Sequence, residues 1–206
     1  MEENLLLSYF ARIFRLDLPQ LETMDEYLDF ILPKVRHVST NLANDDIFTD
    51  GKYWLEISDA DDAHESILHL FSPTEEPDGG SGEGSYMYSI DGNMMEGQWA
   101  RMGGGTILIN GLAYEMFDLV FLNTDFFILK KHGNHKGPKY LFLANETKIS
   151  QQYEWYDVMG RRREQVQLDW RDIMELLFDI YRYNVFFISS AVGLVIFMFI
   201  IALFSI

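Results

Sequence analysis

The sequence predicts a mainly β protein with flanking helices: an eight-stranded antiparallel up-and-down barrel, two N-terminal helices, and a long C-terminal helix continuing into one transmembrane span. Three observations lead there. Between Asp50 and Glu146, short aromatic and β-branched runs alternate with clusters of Gly, Asp and Asn. On either side of that region, apolar residues recur at spacings of three and four. From Val185 to Ile206 the chain runs 22 residues with no charge, no proline and one glycine.

The N-terminal region, residues 1–49, opens with Leu5, Leu6, Tyr9, Phe10, Ile13 and Phe14 at helical spacing, which predicts an amphipathic helix over about 3–15. A second start signal follows at Thr23, an N-cap residue with Glu26 three positions on. Leu28, Ile31, Leu32 and Val35 extend its apolar stripe. The predicted helix covers 24–42, with Pro33 expected to kink or end it near Leu32.

Eight strands are expected in the β region, residues 50–150: Lys52–Ile57, Ser66–Phe71, Tyr86–Ile90, Met95–Met102, Thr106–Asn110, Tyr114–Leu122, Phe126–Lys131 and Tyr140–Ala144. Turn signals separate most of them, including Asp91-Gly92, Gly103-Gly104-Gly105, Asn110-Gly111 and Asn123-Thr124-Asp125. Connections this short force antiparallel neighbours. Eight such strands closing on themselves leave no edge and enclose space for side chains or one small ligand. The two N-terminal helices are expected to plug or flank one end. Pro73–Gly84 has the composition of a flexible excursion.

Residues 151–184 form the juxtamembrane segment, in which Val166, Trp170, Ile173, Leu177 and Ile180 mark one apolar helical stripe. No breaker separates this helix from the anchor at 185–206, so one helix over about 164–205 is expected. At ~1.5 Å per residue the anchor spans roughly 33 Å, the thickness of a bilayer's hydrocarbon core. Glu2 and Glu3 stand where a secretory signal carries basic residues, so no signal peptide is read. Arg161, Arg162, Arg163, Arg171 and Arg182 precede the anchor and nothing basic follows it. The positive-inside rule then places the N-terminal domain in the cytoplasm and the chain as a single-pass, tail-anchored protein of the inner (cytoplasmic) membrane. Arg161, Arg162, Arg163, Arg182, Tyr181 and Tyr183, with Trp170, are the expected membrane-interface residues. Ser189 and Gly193, four apart, form a small-xxx-small pair suited to helix packing.

Charge and chemistry narrow the function further. Residues 161–184 hold five Arg against five acids, so the whole net charge of −16 belongs to residues 1–160, where 11 Lys/Arg face 27 Asp/Glu. That balance excludes nucleic acid, whose phosphates need Lys and Arg. The bilayer is one expected partner, and other membrane proteins or a second copy are the others. With no cysteine and no Gly-x-Ser-x-Gly elbow, and with five scattered His, no nucleophilic catalysis is read. His132 and His135 fall short of a metal's usual three or four ligands. Asp59, Asp61, Asp62 and Glu65 lack the spacing of a calcium loop, and Gly79–Gly84 lacks the strand, helix and Lys of a phosphate cradle. A non-enzymatic protein with no metal and no cofactor is expected.

Gly97-Gln98-Trp99, a polyglycine turn, Thr106-Ile107-Leu108-Ile109, and then Tyr114–Leu122 and Phe126-Phe127-Ile128-Leu129 resemble the bacterial lipocalin-like domains, with Gly51-Lys52-Tyr53-Trp54 as a possible earlier opening. The resemblance covers about residues 50–146. It implies a calycin-type barrel that binds or scaffolds without catalysing, with Gly97 and Trp99 structural and Trp99 closing one end. Two functions are expected from this assembly: an accessory or scaffold subunit of a membrane protein assembly, or a ligand-gated effector. The second is similar in architecture to bacterial immune effectors whose small β-barrel senses a cyclic nucleotide and whose membrane helices disrupt the bilayer. For a ligand in the barrel the candidate residues are Trp99, Arg101 and Lys130, with Lys131 beside them.

Overall fold

A computed structural model describes residues 16–43, 46–60, 66–74, 82–111, 113–133, 137–150 and 168–204. Eight strands form one closed antiparallel barrel in sequence order: β1 (Trp54–Ile57), β2 (Ile67–Pro73), β3 (Glu83–Ile90), β4 (Asn93–Gly103), β5 (Thr106–Asn110), β6 (Tyr114–Leu122), β7 (Phe126–Lys131) and β8 (Tyr140–Asn145). Closure is made by β1 against β8, from Trp54 opposite Asn145 to Ile57 opposite Phe142. The meander read from the turn chemistry is therefore the observed topology. Asp91 and Gly92 both take positive φ, 48° and 85°, as a two-residue hairpin turn between β3 and β4 demands.

Alternation divides the strand residues between two cores. Trp54, Phe71, Tyr86, Trp99, Ile107, Phe117, Phe127 and Leu143 point into the barrel. Ile57, Phe121, Phe126, Ile128, Tyr140, Phe142 and Ala144 point outward from β1, β6, β7 and β8 into a second cluster. The pairing of β6 with β7 shifts between Leu119 and Phe121. This bulge lets the inward set Phe117, Leu119 be followed by the outward pair Val120, Phe121 before Leu122 turns in again.

Helices cover that outward apolar wall. α1 (Met24–Val35) starts with the expected capping box of Thr23 and Glu26, and its N-terminal amide at Met24 also donates to Asp59 Oδ2 at 2.7 Å. It buries Tyr27, Leu28, Ile31, Leu32 and Val35 against the wall, so this helix flanks the barrel's side and not its end as expected. The helix is also shorter than expected. It passes Pro33, because the buried stripe continues to Val35, and then tightens into a 3-10 turn, Arg36–Val38. Ser39 and Thr40 are captured by β6: Leu122 N donates to Ser39 Oγ at 3.0 Å and Thr40 N to Leu122 O at 2.8 Å. The helix predicted over 3–15 lies outside the described residues.

A four-residue helix, α2 (Asp46–Thr49), closes one end of the barrel, and a short helix, α3 (Glu146–Ser150), follows β8. The last helix, α4 (Trp170–Phe204), has 35 residues, about 52 Å at 1.5 Å each. It begins later than the expected 164. Asp169 and Asp172 set the start, each amide donating to the other's carboxylate at 3.1 and 2.9 Å. Ile173, Met174, Leu177 and Phe178 are buried against the barrel wall beside α1. From Phe187 to Met198 the large apolar side chains are exposed, Phe187 at 68 %. α4 is the one described helix long and apolar enough to cross a membrane.

Candidate functional site

The two ends of the barrel differ. At one, Phe48 of α2 is 1 % exposed and sits among Trp99, Phe127 and Phe71, with ring centroids at 5.1, 5.1 and 5.7 Å. Trp54 Nε1 donates to the plug at Phe48 O at 3.2 Å, and Arg101 Nη1 donates at 3.0 Å to Leu42 O in the segment before it. Trp99 Nε1 donates to Ser72 O at 3.1 Å across the same end. Phe48 thus fills this end of the barrel with aromatic contacts.

At the other end lies a cavity of about 270 Å³. Its floor and walls come from alternate residues of several strands: Glu56 of β1, His69 of β2, Tyr86 and Tyr88 of β3, Ile109 of β5, and Phe117 of β6, with Glu115 and Lys131 toward the rim. His69 is 4 % exposed. Its Nε2 lies 2.9 Å from Glu56 Oε2 and its Nδ1 lies 2.6 Å from the Tyr86 hydroxyl. In the neutral imidazole the acceptor-only carboxylate places the proton on Nε2, and Nδ1 then accepts from Tyr86. Burial, followed by the negative charge of Glu56, pushes the Tyr86 phenol well above its usual range, so it stays protonated as a donor. Tyr88 stacks on Tyr86 with centroids at 5.6 Å, and its buried hydroxyl has no hydrogen-bond partner.

A larger depression, about 380 Å³, lies around Gly84, Gln98, Trp99 and Asn110. It gathers one carboxylate, Glu83, and no buried ionisable cluster. The smaller cavity is therefore the candidate site, since convergent buried polar groups and not size mark a site.

The residues singled out from sequence fall elsewhere. Trp99 and Arg101 hold the plugged end. Lys130 is exposed on the outer wall, opposite Asp118 and Tyr140 in register, while its neighbour Lys131 turns inward to line the mouth. The structure does not bring Trp99, Arg101 and Lys130 together with the mouth cavity. Glu56, His69, Tyr86 and Tyr88 were missed. The one local signal was polar or hydroxylated residues at inward positions of β1, β2 and β3, and it needs the register to be seen.

Of the interface candidates, Arg161, Arg162 and Arg163 lie outside the described residues, as does His135. Arg182 is engaged within the fold: Nη1 donates to Glu175 Oε2 at 2.6 Å and Asp179 Oδ1 at 2.7 Å, and Nε donates to Leu16 O at 2.9 Å. Tyr181 leans on Phe178 at 5.5 Å, Tyr183 is exposed, and Trp170 meets Tyr27 edge to face at 5.6 Å. Ser189 and Gly193 lie within the apolar stretch of α4, and a Cβ at Gly193 would meet open space. His132 Nε2 is 3.3 Å from Asp118 Oδ2, and the described residues hold no group of three or more potential metal ligands.

Fold and site define a class: a closed eight-stranded antiparallel barrel, plugged at one end and hollow at the other, carried on a helix apt to cross a membrane. The chain matches no family model, and neither a curated protein nor a solved structure is significantly similar to it.

Proposed function

We propose that this chain is a non-enzymatic, single-pass, tail-anchored protein of the cytoplasmic membrane, whose acidic, lipocalin-like barrel faces the cytoplasm as an accessory or scaffold subunit of a membrane protein assembly. One observation carries the reading. α4 is at once barrel wall and apolar span: Ile173, Met174, Leu177 and Phe178 are buried on the barrel, while the same helix exposes the large apolar side chains of Phe187, Ile188, Leu194, Val195 and Phe197. A barrel joined this way holds a set orientation to whatever the span packs against. The small residues Ser189 and Gly193 allow a second helix close approach. Tagged protein extracted in mild detergent is expected to co-elute with other membrane proteins, and cross-linking in native membranes to capture them through the face of Ser189 and Gly193. Elution alone as a monomer overturns the reading.

The mouth cavity favours a second reading, a ligand-gated membrane effector with the barrel as small-molecule sensor. A cyclic nucleotide would find Lys131 as the one basic residue on the lining, beside Glu56 and Glu115. Expression that leaves membrane potential intact, with or without cyclic nucleotides, sinks that version.

A further inference from the structure

The mouth cavity sets two carboxylates, Glu56 and Glu115, and two phenols against a single ammonium, Lys131. In the neutral imidazole, Nε2–H donates to Glu56 and Nδ1 accepts from Tyr86, which leaves lone pairs of Glu56 and of the Tyr86 oxygen for a guest. Glu115 adds a second carboxylate nearer the rim. Tyr88 lines the same space, is 7 % exposed, and has a buried hydroxyl without a hydrogen-bond partner. A buried hydroxyl left unpaired costs about 1–3 kcal/mol, a cost that a bound polar group removes. Beside these atoms stand the two stacked phenol rings and the apolar side chains of Ile109, Phe117 and Leu141.

We propose that the barrel mouth binds a small organic cation: a primary ammonium group on a compact aromatic or apolar body. The ammonium's three N–H donors meet Glu56, the Tyr86 oxygen and the Tyr88 hydroxyl, and the body rests on Ile109 and Phe117. Ring faces attract the same charge. A volume of about 270 Å³ suits a molecule smaller than the drug-sized guests of pockets of ~300–1,000 Å³. The net charge of −16 steers cations inward and anions away.

The ligand comes from water and not from lipid. The N-terminus of α1 is fixed at the mouth end by Asp59 and Lys139, and the chain after it at the plugged end by Leu122. α4 runs alongside in the same direction, Trp170 on Tyr27 and Phe178 on Phe30. The apolar span therefore leaves from the plugged end, and the mouth opens the other way.

The test uses the full chain in mild detergent with 2-phenylethylamine as probe, and with 2-phenylethanol and phenylacetate as neutral and anionic isosteres, by titration calorimetry. The amine is expected to bind saturably, the alcohol about tenfold or more weakly, and phenylacetate not measurably. Glu56→Gln is expected to weaken the amine about tenfold, and Tyr88→Phe by a few-fold with an unchanged near-UV circular dichroism spectrum. Absence of saturable amine binding in the millimolar range overturns the proposal, as does equal binding of phenylacetate. If Glu56→Gln fails to fold, the isostere series on the unaltered chain still decides. The outcome is independent of the accessory role: a monomer that binds the amine sinks that role alone.

Discussion

At the residue scale, two positions show how closely the barrel is specified. An ideal Cβ on Gly97 would stand 1.8 Å from Asn110 O, a backbone atom that cannot swing aside. Gly104 has φ +63° but open space around it. Gly97→Ala is therefore expected to cost about 3 kcal/mol and Gly104→Ala about 1 kcal/mol in urea unfolding followed by tryptophan fluorescence. Asp29 makes a second case. Its burial favours the neutral acid, but hydrogen bonds from Lys139 Nζ at 2.5 Å and Tyr140 OH at 2.6 Å outweigh that and hold its pKa below the usual aspartate range. A depressed carboxylate stabilises the fold above the unfolded pKa, and that stability is lost as pH falls through the folded one. Asp29→Asn should thus melt lower than the parent near neutral pH, with the gap closing below about pH 4 in a series of thermal melts.

At the scale of elements, the short helix α2 decides whether the barrel has a floor. Four residues cannot hold a helix by themselves. Phe48 supplies the reason for its place, since it touches rings from β2, β4 and β7. Phe48→Ala is expected to cost about 3–5 kcal/mol in urea unfolding and to loosen the Trp54 and Trp99 environments, read as a loss of near-UV circular dichroism. Sequence reading found the strands around this plug but not the plug itself, because four residues carry no periodicity. It found α1 from its capping box and stripe, yet placed its end too late, because the capture of Ser39 and Thr40 by Leu122 is a contact across 83 residues. The mouth cluster was illegible for the same reason. Glu56 and Tyr86 meet through His69 only once β1, β2 and β3 are in register.

At the scale of the whole molecule, α4 divides into two parts with different solvents. Up to Tyr181 it packs on the barrel wall, and from Phe187 to Met198 its large apolar side chains are exposed among the described residues. Burial of that surface in hydrocarbon, at ~25 cal/mol per Å², far exceeds any affinity the acidic barrel has for headgroups. A chain truncated after Tyr183 is expected to keep the barrel's near-UV spectrum and remain in the supernatant after ultracentrifugation, while the full chain sediments with membranes. A truncated chain that still sediments would show that another surface holds the bilayer.

What the sequence determined by itself was whatever is local: eight strands from a period of two and their turn residues, the helix starts from capping residues, and a span from 22 uncharged positions. Tertiary structure alone decided which inward residues share an end of the barrel, that α1 lies on the wall while Phe48 fills the floor, and that the span leaves opposite the hollow mouth. Those outcomes depend on strand register and on closure of β1 against β8. Closure pairs residues about 90 positions apart, and no periodicity along the chain reports which of them will meet.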